Sequence, residues 1–177
     1  MKFIFQVLAT VALVACGASA LENGVLLGET FGGPHGDKYS DLDLASPDQT
    51  VRAITIRSAD RVDAVCLDVT DLSGQMTTLY HGGNGGDAET LTLPEGEHII
   101  GVQAHWGKYY RKTRLMYVEF TTDKGNVISG GTPADDADRK GKDTAPEGFQ
   151  LGGFTGYCGN ELDSMEAIWT SIDEPMI

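Results

Sequence analysis

The sequence is poor in basic residues and cysteine, and it lacks the periodicity of a long helix. Lysine and arginine number 13 against 26 aspartates and glutamates, giving a formal net charge of −13. Nucleic acid and an anionic membrane surface would repel such a protein at long range, so we expect neither as a partner. No heptad or Gly-x-y repeat occurs, which excludes a coiled coil and a collagen-like helix. A chain of 177 residues with 41% hydrophobic residues predicts one folded domain.

Cysteine, histidine and acidic clusters are too sparse to predict a metal site or a disulfide framework. Two cysteines, Cys66 and Cys158, lie beyond the N-terminal segment, and their pairing stays open because two cysteines have no diagnostic spacing. The histidines, at positions 35, 81, 98 and 105, lack ligand spacing, and the aspartates around 135–143 lack EF-hand spacing. We therefore expect no metal and no cofactor. No Asn-x-Ser/Thr sequon occurs, so N-glycosylation is not expected.

The first twenty residues have the layout of a secretory signal peptide. Lys2 precedes an almost entirely apolar run, and residues 18–20 are small, as signal cleavage requires. This predicts a secreted protein whose mature chain, and single domain, spans residues 21–177. Cys16 ends a Leu-Val-Ala-Cys sequence that also fits bacterial lipoprotein processing, so a lipid anchor at Cys16 is an alternative. A buried N-terminal strand is another.

The remaining chain reads as short strands separated by turns. Apolar or alternating stretches typical of strands lie at residues 51–57, 62–69, 99–104, 114–121, 149–154 and 167–172. Met116, Val118 and Phe120 are predicted to share one face of a strand. The polar stretch 132–147 is predicted to be a mobile surface loop. Regularly spaced strands with turns between them predict an all-β sandwich, barrel or prism.

Internal repeats carry most of the information. Gly-Gly clusters begin at positions 32, 82 and 130, about fifty residues apart. A small residue followed four positions later by Asp occurs at 59–63 and at 159–163, and 107–111 is a degenerate copy with Arg111 in place of Asp. The spacing predicts three similar β units, one of which is closed by the two ends of the chain together.

Each repeated element alone has an ordinary structural explanation, since glycine pairs and aspartates are common in turns. Their matched order and spacing favours a shared function. A glycine-rich loop beside a carboxylate presents exposed amide donors and a charged acceptor, and glycine lets a ligand approach the main chain. These donors and acceptors are suited to binding a neutral polyol.

The sequence resembles the jacalin-related lectins over essentially the whole mature chain. The residues that carry the resemblance lie at 31–36, 81–86 and 153–163, supported by 93–100 and 114–131. The resemblance implies a β-prism of three four-stranded Greek-key sheets around a pseudo-threefold axis. It also implies metal-independent sugar binding, with glycans or glycoproteins as partners. The uncleaved, single-chain form is more similar to the mannose-binding branch, which favours mannose or glucose.

The resemblance also implies where sugars would bind. The principal site would use the amides of Gly36, Asn160 and Glu161 with the Asp163 carboxylate. A second site would use the corresponding residues of another unit, which are Asp60, Arg61, Asp63 and Gly86. The third unit is expected to bind no sugar because Arg111 stands at the carboxylate position.

Three alternatives stay open from the sequence. His105 and Trp106 either flank the principal site or pack in the core. The prism is a sugar-binding protein, an interaction scaffold without sugar binding, or a glycan-active hydrolase using Glu161 and Asp163, although no nucleophile motif is present and we do not expect an enzyme. The residues leave the oligomeric state open, including a homo-oligomer.

Overall fold

A computed structural model of the chain describes residues 20–134 and 139–172, which form thirteen β-strands in three antiparallel sheets. The predicted signal peptide, apart from the backbone of its last residue, lies outside these residues, as does Asp135 to Asp138 of the acidic stretch. The predicted all-β prism is confirmed.

Each sheet carries one unit of the repeat. In spatial order the first sheet is β1-β2-β13-β12-β3, the second β6-β5-β4-β7 and the third β10-β9-β8-β11. The bounds of the first sheet are β1 Ala20–Glu22, β2 Val25–Gly32, β13 Leu162–Ser171, β12 Phe149–Cys158 and β3 Asp37–Ser40. Those of the second are β6 Met76–Gly82, β5 Val62–Thr70, β4 Thr50–Ser58 and β7 Asp87–Thr92. Those of the third are β10 Val127–Gly131, β9 Lys112–Thr122, β8 Ile99–Tyr109 and β11 Lys140–Thr144.

All three units have the Greek-key strand order, in which the fourth strand lies beside the first. In the first sheet this order appears only if β12 and β13 are counted before β2 and β3. The N- and C-terminal parts of the chain therefore close one unit together, as the repeat spacing predicts. The additional strand β1 extends this sheet by pairing with β2.

The core lies between the three sheets, and most of its largest side chains come from the two inner strands of each unit, with Phe31 of β2 as an exception. Phe120 of β9 and Phe154 of β12 meet edge to face, with ring centroids 5.9 Å apart. Ile54 and Leu67 fill the same core from the second sheet and are fully buried. Burial of apolar surface from three sheets in one cluster holds the units at fixed relative positions.

The prediction of a loop over residues 132–147 is wrong in part, because β11 lies within it. This strand pairs with β8 from Lys140 opposite His105 to Thr144 opposite Gly101. Its side chains are exposed or half-buried, so apolar alternation is missing and main-chain hydrogen bonds hold it. Asp143 fastens the strand to the first sheet: its Oδ2 accepts hydrogen bonds from the Glu29 amide and the Trp169 indole, both at 3.0 Å.

Candidate functional site

The same bulged hairpin recurs in the three units and brings their glycine clusters to corresponding positions. In each central hairpin the register shifts near the turn, leaving one extra residue on the second strand: Asp63, Asp163 or Met116. The main-chain oxygen of that residue accepts a hydrogen bond from the adjacent glycine-containing segment, at 3.0 Å from Gly83, 3.0 Å from Gly33 and 2.7 Å from Thr132. The bulge fixes the direction of the extra side chain at each site.

Glycine is required where these segments cross the bulges. Gly32, Gly82 and Gly131 have φ angles of 102°, 120° and 87°, which side-chain-bearing residues rarely adopt. A Cβ at any of the three would overlap the carbonyl oxygen of Asp163, Asp63 or Met116, respectively. The Gly-Gly repeat seen in the sequence is therefore a requirement for close backbone approach.

The structure brings the predicted principal residues Gly36 and Asp163 together. Gly36 has a φ of 78°, and a Cβ there would lie 2.9 Å from Asp163 Oδ2. Asn160 and Glu161 form the turn between β12 and β13, where the Gly159 amide donates to the Glu161 carbonyl at 2.9 Å. Asn160 is exposed, whereas Glu161 is half-buried.

The predicted second site has the same geometry. Gly86 has a φ of 62°, and a Cβ there would lie 2.8 Å from Asp63 Oδ2. The Ala59 amide donates to the Arg61 carbonyl at 3.0 Å, which repeats the turn of the principal hairpin with Ala in place of Gly. Asp60 is exposed at the tip of this turn. The turn is therefore the same with Ala59 as with Gly159 at its first position.

The third unit differs from expectation, because Met116 and not Arg111 stands at the carboxylate position. Arg111 lies in the tight turn of the β8–β9 hairpin, with a φ of 68°. Three residues, 59–61 or 159–161, separate the bulge partners in the other two hairpins, whereas eight residues, 107–114, separate them here. The degenerate copy at 107–111 is thus part of a hairpin extension. The conclusion that this unit has no carboxylate at the corresponding position stands.

The extended hairpin reaches over the principal site. A Cβ on Gly33 would lie 2.6 Å from the Thr113 Cβ, so the first glycine cluster packs directly against the extension. Arg114 follows Thr113 and is buried. Its Nη1 pairs with Asp163 Oδ1, and its Nε lies 2.9 Å from Glu161 Oε2. One residue of the third unit therefore contacts both charged residues of the principal site.

Arg61 makes the corresponding contacts from the second site. Its Nη2 donates to Glu161 Oε1 at 2.8 Å and lies 3.3 Å from Asp63 Oδ1. The Tyr109 ring covers the guanidinium, with Arg61 Cζ 4.5 Å from the ring centroid. A cation over an aromatic face is favoured electrostatically, so the extended hairpin also holds Arg61 in place.

These contacts form a continuous series, which we name the ion-pair chain: Asp63, Arg61, Glu161, Arg114 and Asp163. Glu161 is its centre and bridges the two guanidinium groups. Both terminal aspartates are only 2% exposed. Burial raises the pKa of Asp63, an effect that Arg61 opposes and Glu161 reinforces. The two candidate sites are thus joined by charge contacts that cross three units.

The structure favours core packing for Trp106 and His105. Trp106 is half-buried and stacks on Phe31, with ring centroids 5.8 Å apart and ring planes 27° from parallel. His105 is buried, and its Nδ1 accepts a hydrogen bond from the Ala134 amide at 2.9 Å. His81 has a structural role as well, since its Nε2 lies 2.9 Å from both carboxylate oxygens of Asp41.

The described residues contain neither a disulfide nor a cluster of metal-ligating side chains. Cys66 and Cys158 are free thiols, and burial raises the pKa of Cys66 to about 11, which keeps the thiol protonated. Within residues 20–134 and 139–172, no three His, Cys, Asp or Glu side chains are grouped to hold a metal ion. The same part of the chain contains no helix with the length and hydropathy needed to cross a bilayer.

Comparisons with known proteins agree with the fold. "Secreted RxLR effector protein 19" of Plasmopara viticola is 27% identical over 179 residues, covering 98% of this chain and 97% of that protein. A mannose-binding jacalin-related lectin of Ananas comosus has a TM-score of 0.71 at 19% identity, and Malaysian banana lectin has 0.70 at 21%. Both alignments cover 84% of this chain and 99% of the other. The sequence model of the Jacalin-like lectin domain matches residues 28–168. The chain therefore belongs to the family of Jacalin-like lectin domains.

Proposed function

We propose that this protein is a secreted lectin that binds mannose- or glucose-type glycans through Gly36, Asn160, Glu161 and Asp163, without a metal ion. The observation that carries the proposal is the contact of a positive-φ glycine with a bulge aspartate, made once by Gly36 with Asp163 and again by Gly86 with Asp63. Exposed amides beside a carboxylate can donate to and accept from neighbouring sugar hydroxyls.

The similar solved structures support this choice of ligand. One is named as a mannose-binding lectin, and Calsepa lectin, with a TM-score of 0.67 and 19% identity, was solved in complex with a biantennary N-glycan. That alignment covers 86% of this chain and 99% of the other. The signal-like segment and the secreted relative support an extracellular location. Intact mass of the secreted form should match residues 21–177, whereas a lipid on Cys16 would place the protein on a bacterial membrane.

Burial of both aspartates favours a second candidate, an interaction scaffold that has lost sugar binding. Asp63 and Asp163 each have a guanidinium partner at Oδ1 within the fold, so this oxygen of each carboxylate is already paired in this arrangement. A hydrolase is not proposed. Glu161 and Asp163 both contact Arg114, and hydrolysis requires two carboxyl groups placed on opposite sides of the scissile bond.

A glycan array probed with the mature chain separates these functions. Retained glycans without turnover support the lectin, released sugar supports a hydrolase, and no retention by a folded protein supports the scaffold. Titration calorimetry with mannose then gives the stoichiometry. Two sites per chain, one lost in Asp163→Ala and the other in Asp63→Ala, are expected, with Arg111→Ala as a control on the extended hairpin. One site that Asp63→Ala leaves intact would refute the second site.

A further inference from the structure

We propose that the ion-pair chain closes both candidate sites, and that Arg114 determines access to the principal one. The proposal rests on the proposed function and concerns how that same site is regulated. In the structure Arg114 occupies Asp163 Oδ1 and Arg61 lies against Asp63 Oδ1. A sugar hydroxyl that donates to either of these oxygens competes with a guanidinium for it.

Glu161 makes the two displacements interdependent. Its two carboxylate oxygens are shared between the guanidiniums, Oε1 with Arg61 and Oε2 with Arg114. When Arg114 leaves Asp163, Glu161 loses or changes one of its contacts, and this change alters the position of Arg61 and hence of Asp63. The sites therefore respond to one another through three side chains in direct contact.

The closed arrangement leaves hydrogen-bonding capacity unused. Arg61 Nε is buried and makes no hydrogen bond within the described residues. A buried polar atom without a hydrogen bond costs free energy. A rearrangement that supplies such a bond is therefore favoured over the closed arrangement. Hydroxyls of a sugar are partners of the required chemistry.

The first test uses sugar affinity, with a matched control on the same hairpin. Arg114→Gln and Lys112→Gln each remove one positive charge, but Lys112 is exposed near the turn. Calorimetric titration with mannose, glucose and galactose should show Arg114→Gln binding about tenfold tighter than wild type, because the open form no longer competes with an internal ion pair. Lys112→Gln should bind as wild type does. Should Arg114→Gln fail to fold, Arg114→Lys, which keeps the charge but loses the planar fork, is tested in its place.

The second test needs no sugar. Urea unfolding of Arg61→Gln, Arg114→Gln and the double variant should show non-additive effects of about threefold or more in the unfolding equilibrium constant. In a Glu161→Gln background the same two substitutions should become additive, because the shared carboxylate is then absent. Additivity in both backgrounds would refute the coupling.

The outcomes separate this proposal from the proposed function. If wild type binds mannose and Arg114→Gln binds no more tightly than Lys112→Gln, control of access by Arg114 is wrong while the lectin function stands. If no folded variant binds any of the three sugars, the proposed function fails and control of access fails with it. The unfolding cycle would then still show whether the ion-pair chain locks the prism end of a scaffold.

Discussion

Replacement of Asp163 by Asn tests whether the carboxylate stabilises the fold or serves only to bind a ligand. Asp163 is 2% exposed and contacts Arg114, and Asn has nearly the same shape without the charge. Removing one partner of a buried ion pair typically costs about 3–5 kcal/mol, because the other charge is left uncompensated. Arg114 keeps Glu161 at 2.9 Å, so we expect a smaller loss of about 2–3 kcal/mol in the free energy of unfolding.

The assay is equilibrium urea unfolding at pH 7, with thermal unfolding beside it. A loss of this size should lower Tm by about 4–12 °C for a domain of this length. Asp60→Asn is the matched control, because Asp60 lies exposed in the corresponding hairpin of the second site. Its effect should stay within about 0.5 kcal/mol.

A second substitution tests whether the loss comes from the pair. Asp163→Asn combined with Arg114→Gln should be less destabilised than the sum of the two single changes, since no buried charge is then left without its partner. The reasoning is refuted if Asp163→Asn is as stable as Asp60→Asn, which would show that the carboxylate makes no net contribution to the fold.

Three further predictions follow from the titrating groups and the absence of a metal from the proposed contacts. EDTA should leave glycan retention on the array unchanged; loss of retention by a folded protein would indicate a cation-dependent site. Burial lowers the pKa of His105, whose Nδ1 has to stay unprotonated to accept from Ala134. Urea unfolding should therefore show wild type losing stability relative to His105→Asn as the pH falls below about 6.5, by at most about 1.4 kcal/mol per pH unit. The pKa of Asp63 is raised, so its effect on stability changes with pH in the opposite direction. Wild type should lose stability relative to Asp63→Asn as the pH rises from about 3.9. A stability difference that does not change with pH would contradict this prediction.

The sequence predicts the three-unit architecture because its signals are local. Each glycine cluster has to cross a bulge closely, so the requirement repeats at each unit and is visible as spacing. Inner strands such as β5 are buried almost continuously and show as apolar runs. Edge strands such as β7 and β11 are exposed on most positions, and their main-chain pairing leaves no apolar pattern to detect.

The errors trace to the bulge of β9 and the extension of its hairpin. The predicted face of Met116, Val118 and Phe120 is wrong at its first residue, because the extra residue at Met116 shifts the alternation and puts Leu115 in the core. The expected carboxylate position at Arg111 is wrong for another reason: the hairpin has eight residues in place of three, which moves that position to Met116. A bulge follows from three-dimensional strand pairing, so a pattern of period two cannot locate it.

The ion-pair chain lies beyond sequence reasoning for a different reason. Arg61 and Glu161 are 100 residues apart and belong to different units, and no spacing rule connects them. Arg114 in the sequence reads as an ordinary strand residue. The contacts exist only because the three-unit fold places three hairpins at the same end of the prism. No local sequence pattern shows this arrangement.

The ion-pair chain also bears on the kind of glycan that the proposed sites would recognise. Hydrogen bonds from sugar hydroxyls to a charged acceptor contribute about 1.5–3 kcal/mol each, which is comparable to what is lost when a buried guanidinium leaves its carboxylate. Two such bonds at Asp163 therefore leave little net free energy, and a single monosaccharide should bind no more tightly than about the millimolar range. The two proposed sites, which we expect to differ in strength, would change this balance, since simultaneous engagement can raise the overall affinity by about 10²–10⁴ without new contacts. The geometry thus favours branched or clustered glycans over isolated sugars as ligands.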